Sequence, residues 1–248
     1  MKFTDEGIII SQKKYGENSS LVKIFSREHG IYRGFVKSAK SKKAQVVFQI
    51  GNLVSFEFRT RIEENLGSFV SVDLMKSYCS KIMFEQMKLN CVNSLFALID
   101  ESFLEHEVHK NLFENLHEFL QKISDENVSQ KDFLKDYVHL ELKILKTLGY
   151  GIDLSSCAVT DSTVDLAFVS PKSGRAVSFE IGKPYQNKLL KLPDFLLKKD
   201  CEISEQHLLQ GLDLSGFFLE RFFIEEKSFD KNKQKFFYRE NIKKALLK

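Results

Sequence analysis

Tryptophan is absent from this 248-residue chain, and it has only three prolines and four cysteines. The cysteines, Cys79, Cys91, Cys157 and Cys201, are scattered with no C-x-x-C pair. That spacing excludes a disulfide framework and gives no close thiolate pairs for a zinc site, so free thiols in a reducing compartment are expected. No run approaches the ~18 apolar residues of a membrane-spanning helix. Ile8-Ile9-Ile10 is too short for a signal-peptide core. A soluble, cytoplasmic protein is the expectation. Catalytic signatures are missing as well: there is no G-x-x-x-x-G-K-[ST] phosphate loop, no G-x-S-x-G elbow and no H-E-x-x-H. Neither an enzyme nor a cofactor is expected.

What is present is core-forming material and an uneven charge. Hydrophobic residues make up 43% and charged residues 29%, which excludes a disordered chain. Residues 1–80 hold 13 Lys/Arg against 8 Asp/Glu, a net of +5, and the remainder holds 24 against 26. Within that remainder, residues 227–248 carry 8 basic and 2 acidic residues, so the middle is acidic. An asymmetry of this kind suggests a polyanion partner at one end.

Hydrophobic period divides the chain at about residue 80. Gly7–Tyr15, Leu21–Arg27, Ile31–Lys37, Leu53–Ile62 and Ser68–Leu74 read as strands separated by glycine-marked turns. The fourth alternates best, with Val54, Phe56, Phe58 and Thr60 on one face and Ser55, Glu57, Arg59 and Arg61 on the other. Five short strands suit a small barrel, of which the OB-fold is the commonest, although periodicity leaves an SH3-like barrel open. Beyond Ser80 the steps become three and four residues: Phe84, Met87, Cys91, Leu95 and Leu98, then Leu112, Leu116, Phe119, Leu120 and Ile123. A third helix opens at Ser129-Gln130-Lys131-Asp132, a capping-box spacing, and Gly149-Tyr150-Gly151 ends it. Residues 151–203 hold all three prolines and read as an irregular insertion; helix returns from about Ser204. The expected class is therefore α+β: an OB-fold at 1–80 and an all-helical domain at 81–248, interrupted by the module at 151–203.

The richest constellation is Arg33-Gly34-Phe35-Val36-Lys37-Ser38-Ala39-Lys40-Ser41-Lys42-Lys43, with five basic residues and no acid. Phosphate backbones demand such side chains, because each contact releases condensed counterions. Lys13, Lys14, Arg27, Arg59 and Arg61 extend the candidate patch, and Tyr15, Tyr32 and Phe35 offer rings for base stacking. His106-Glu107-Val108-His109 and the acidic set Asp153, Asp161 and Asp165 match no metal motif. Two rivals remain at this point: another OB-fold nucleic-acid-binding protein, and a metal-dependent nuclease using those aspartates.

Several segments resemble one family. Gly7–Ser11 followed by Tyr15-Gly16-Glu17-Asn18-Ser19-Ser20-Leu21, Arg27-Glu28-His29-Gly30, and Gln49–Val54 are similar to the N-terminal part of the RecO family. Glu141–Leu154, Cys157–Thr160, Ser170–Arg175 and Leu192-Pro193 resemble its helix-to-insertion junction and insertion, so the likeness covers essentially the whole chain. The resemblance implies a non-catalytic recombination mediator that binds single- and double-stranded DNA and anneals complementary strands. It implies as partners RecR and the acidic tail of single-strand-binding protein, so that RecA can be loaded on DNA. Lys135, Lys143, Lys146, Arg239, Lys243 and Lys244 are the candidates for meeting that tail.

Many members hold a structural zinc with four cysteines in the insertion. Here only Cys157 stands in such a position, with Ala158, Val159 and Thr160 after it. The chain resembles the branch without zinc, and Phe168, Val169, Val177 and Phe179 are expected to hold the module by packing. Metal analysis of purified, tag-free protein should find far less than one zinc per chain. One full equivalent, with unfolding on chelation, would contradict the ligand argument.

Overall fold

The structure, a computed structural model, describes residues 1–37, 42–61, 66–198, 200–225 and 236–247, without the side chains of residues 42, 43, 224 and 225. Two compact units result, Met1–Asn127 and Val128–Lys248.

In the first unit, β1 (Lys2–Tyr15), β2 (Ser19–Ser26), β3 (Gly30–Lys37), β4 (Asn52–Arg59) and β5 (Gly67–Ser77) pair in the order β1-β2-β3-β5-β4, and β4 returns to β1. Four seams are antiparallel. The β3–β5 seam is parallel and only two pairs long, Gly34↔Gly67 and Phe35↔Ser68. Because side chains alternate along a strand, Val22, Ile24, Tyr32, Val36, Val54, Phe56, Phe58 and Phe69 all turn inward into one cluster. A bulge between Ile9 and Ser11 shifts the register of β1, so Ser11, Lys13 and Tyr15 oppose Lys23, Leu21 and Ser19 on the outer face.

Helix α1 (Lys42–Val47) lies between β3 and β4 and sends Val47, with the adjacent Phe48, into the same core. The expected basic loop at 38–43 therefore ends in a helix. Two longer helices, α2 (Gln86–Ser102) and α3 (Lys110–Ile123), complete the unit. Their connection is tied to β3, where the His106 amide donates to the Ile31 carbonyl at 3.0 Å. Phe84, expected on the α2 stripe, precedes the helix and is 92% exposed. Compactness thus places α2 and α3 with the strands, whereas the period change suggested a boundary near residue 80.

In the second unit, α4 (Gln130–Thr147) begins as the capping-box spacing requires: the Ser129 Oγ accepts from the Asp132 amide at 3.2 Å. It stops at Gly149, whose φ of +86° few other residues tolerate. The Tyr150 amide donates to the Leu145 carbonyl at 2.8 Å and the Gly149 amide to the Lys146 carbonyl at 3.1 Å, the paired bonds of a Schellman end. Beyond it, β6 (Leu166–Val169), β7 (Ala176–Ser178) and β8 (Leu190–Lys191) form a sheet in the order β7-β6-β8. A short helix, α5 (Phe179–Gly182), follows β7; α6 (Glu205–Glu225) and α7 (Phe237–Leu246) follow the sheet.

The expected fold class is corrected on these findings. The N-terminal element is a five-stranded mixed sheet that closes on itself in the order β1-β2-β3-β5-β4, with one short parallel seam between β3 and β5. The rest is not all helix, since a three-stranded sheet occupies the supposedly irregular module. Its strands are two to four residues long, too short for any period to show. Phe168, Val169 and Val177 are buried as expected, but Phe179 is 44% exposed.

One buried ion pair organises the second unit. Arg239 of α7 donates from Nε to Glu141 Oε1 of α4 at 2.8 Å and from Nη2 to Ser215 Oγ of α6 at 3.1 Å, and also to the Leu212 carbonyl. Tyr137 and Ser215 each donate to Glu141 at 2.6 Å. Burial opposes the guanidinium's charge, but the Glu141 carboxylate outweighs it and raises the Arg239 pKa above its ordinary value. Gly216 leaves room for this group: a Cβ there would lie 2.6 Å from Arg239 Nη1. Glu141→Leu or Arg239→Met alone should cost about 3–5 kcal/mol by stranding a buried charge, and the double variant should recover most of that loss. Urea unfolding of the three variants checks this. A cost below about 1 kcal/mol for both single changes would contradict it.

Candidate nucleic-acid interface

Cross-strand partners share a face of a sheet, so register alone defines what β1, β2 and β3 present outward. Lys13, Leu21 and Phe35 form one row, Tyr15, Ser19 and Lys37 the next, and Ser11, Lys23 and Arg33 a third. Tyr15 is 59% exposed and leans on Phe35, with ring centroids 4.8 Å apart and planes at 55°. Lys13 and Lys37 are exposed beside that ring pair, and Lys14 is exposed at the same end of β1. None of these three lysines has an ion pair among the described residues.

The opposite end of the same face is neutralised. Lys23 is held by Asp100 of α2, and Arg33 Nε lies 3.2 Å from Glu105. Arg27 sits between Glu6 at 2.8 Å and Glu114 at 3.0 Å, with its guanidinium 5.2 Å from the centre of the Phe113 ring. Arg59 Nε is 2.6 Å from Glu57, which Lys2 also approaches at 3.2 Å. Along β1, β4 and β5, the residues Asp5, Glu6, Glu57 and Asp73 line a groove of about 470 Å³ together with Arg27. Arg61 is exposed just past β4.

The structure therefore brings together Lys13 and Lys37 with Tyr15 and Phe35, leaves Lys14 exposed at the same end of β1 but on the face of its partners Ser20 and Val36, and separates Arg27, Arg33 and Arg59 from them as members of ion pairs. Tyr32, expected as a stacking residue, is buried at 5% exposure, packed between Phe3 and His106 at 4.8 and 4.3 Å. Lys40 lies outside the described residues, as do the side chains of Lys42 and Lys43; the backbone of both opens α1. A groove of about 410 Å³ borders this region, lined by Phe35, Lys37, Val47, Phe48, Phe69 and Val70 among others. Sequence reasoning missed this groove, because it depends on α1 and on the β3–β5 seam.

Of the residues considered for a protein tail, Lys143, Lys146 and Lys244 are exposed and Lys135 is half-buried. Lys243 pairs with Asp213 at 2.6 Å. Arg239 is 6% exposed and belongs to the core network, so it cannot serve as a surface cation, and that expectation is corrected. The nuclease rival gains no geometry: Arg175 approaches both Asp153 and Asp161, at 3.7 and 3.3 Å, and Asp165 lies in a different groove. Among the described residues no group of three His, Cys, Asp or Glu side chains is placed to hold a metal ion, and no helix is long and apolar enough to cross a membrane. His109 pairs with Glu107 at 3.2 Å.

Cys157 is fully buried and receives hydrogen bonds on Sγ from the Ser178 amide at 3.4 Å and its hydroxyl at 3.5 Å. Burial pushes the thiol up, but hydrogen bonds from Ser178 and Thr160 outweigh it and bring the pKa to about 6. The position keeps the polar environment of a thiolate with no second cysteine beside it.

Comparison with known proteins gives the same family for both halves. Residues 1–78 match the family described as Recombination protein O N terminal, and residues 87–222 match Recombination protein O C terminal. The chain is 40% identical over 222 residues to the DNA repair protein RecO of Rickettsia felis, covering 90% of this chain and 91% of that one. It is 39% identical over 236 residues to the RecO of Rickettsia canadensis, covering 95% of each, and 39% identical over 228 residues to that of Orientia tsutsugamushi, covering 92% of each. Each is named a DNA repair protein, and this sequence has no phosphate loop, G-x-S-x-G elbow or H-E-x-x-H signature. On these matches, the chain belongs to the RecO family of DNA repair and recombination proteins.

Proposed function

We propose that this chain works as a recombination mediator by gripping DNA on the outer face of β1, β2 and β3. The observation that carries the reading is the pair Lys13 and Lys37 around an exposed Tyr15 packed on Phe35, with Lys14 exposed at the same end of β1. Ammonium groups without a carboxylate exchange condensed counterions for phosphate contacts, and a half-exposed ring offers a face to an unstacked base. Lys40, Lys42 and Lys43 continue the basic run in sequence beyond Lys37.

Binding of this kind is independent of base sequence, which suits annealing of any two complementary strands without nucleotide hydrolysis. Around that activity we place RecR as partner and the tail of single-strand-binding protein as docking ligand, with delivery of DNA to RecA as the outcome. For the tail, Lys143, Lys146 and Lys244 are the exposed members of the candidate set, cations of the kind an acidic, aromatic-ended peptide requires.

The test is salt-dependent binding of labelled oligothymidylate by the full chain. Replacing Lys13, Lys14 and Lys37 with alanine should flatten the log–log salt slope by about two units, at about 0.7 per phosphate on single strands. Stability should change by no more than about 0.5 kcal/mol per exposed site. An unchanged slope would remove the outer face of β1–β3 from the DNA contact.

A further inference from the structure

The module of the second unit carries a cationic strip of its own. Residues 181–193 include Lys183, Lys188 and Lys191 and no acid, although the chain beyond residue 80 is slightly acidic overall. Lys183–Lys188 forms a 3-10 turn whose residues are all exposed, and Tyr185 on it is 60% exposed. Lys191 stands on the edge strand β8, paired with Phe168 of β6.

Two rings fix the spacing of two of these cations. Phe168 is buried and Phe179 half-exposed, and they stack nearly parallel at 14° with centroids 6.3 Å apart. The Lys191 ammonium lies 4.7 Å from the centre of Phe168, and that of Lys183 lies 5.6 Å from the centre of Phe179. Ring faces attract the ammonium groups weakly, which positions them without cancelling their charge.

None of the three lysines has an ion pair among the described residues. Several other cations of the unit are compensated: Lys198 by Asp194 at 3.1 Å, Lys243 by Asp213, Arg175 by Asp161. Two further carboxylates of the module, Asp165 and Glu180, line a groove with Asp194 and Lys198. A strip of uncompensated, spaced ammonium groups beside an exposed tyrosine has the composition of a single-strand track.

We propose that Lys183, Lys188, Lys191 and Tyr185 form a second nucleic-acid contact, with phosphates on the three ammonium groups and a base on the tyrosine ring. The inference rests on nucleic acid being this chain's ligand, and it assigns one polyanion contact to each unit. Two contacts in one chain raise the effective concentration of a second strand once the first is bound, which is the physical requirement for bringing two strands together.

The experiment uses the full chain, labelled oligothymidylate and a salt titration. Changing Lys183, Lys188 and Lys191 together to alanine should flatten the slope by about two units, and the corresponding arginine variant should keep the slope of the parent. Tyr185→Ala should weaken binding several-fold with the slope unchanged. Lys13, Lys14 and Lys37→Ala, measured alongside, separates the two claims. If that variant flattens the slope while the module variants do not, the second contact is wrong and the first stands; if neither does, both fail. Should the module variants lose only the binding of an acidic, aromatic-ended peptide, the strip is a protein-docking surface and the inference is overturned.

Discussion

Strand alternation governs both what holds the first unit together and what it can bind. On β2 and β3, Val22, Ile24, Tyr32 and Val36 turn into the core cluster and their neighbours turn to the outer face, where Phe25 and Ile31 are buried but Arg33 and Lys37 are exposed. The bulge at Ile9–Ser11 extends this to β1, placing Lys13 and Tyr15 on the outer side with Phe35 and Lys37. A one-residue slip would bury the lysines and expose the core, so packing energy enforces the interface.

Charge compensation then decides which outward cations are available. Lys23, Arg27, Arg33 and Arg59 point outward too, but each already holds a carboxylate of the first unit. A phosphate approaching them must compete with that carboxylate and tolerate it nearby. Lys13, Lys14 and Lys37 impose no such competition. The same contrast separates Lys183, Lys188 and Lys191 from Lys198 and Lys243 in the second unit. Burial adds a different use of charge: Arg239, fully enclosed, serves Glu141 and the packing of α4, α6 and α7.

What was legible in the sequence is what local pattern carries. Val54, Phe56 and Phe58 against Ser55, Glu57 and Arg59 is a period of two within one strand, and the structure buries the first set. The ends of α4 were equally readable, since Ser129 and Gly149 act within one helical turn. Long-range pairing was not. Lys23 and Asp100 are 77 residues apart, and Arg239 and Glu141 98, so no window could show that these cations were spoken for. Tyr32 looked available because an aromatic in a basic segment reads the same whether it points in or out, and only its register with Ile24 places it inside. Phe84 misled in the opposite way: its spacing fits the α2 stripe, but the helix starts two residues later.

The lack of tryptophan allows the central claim to be tested with a single optical probe. Tyr15→Trp places the only indole of the chain on the outer face of β1, against Phe35 and between Lys13 and Lys37. Its emission should be quenched saturably by oligothymidylate, and the quenching should weaken as salt rises, in step with the anisotropy of labelled DNA. Emission that stays constant while the anisotropy reports full binding would place the DNA elsewhere and contradict the account.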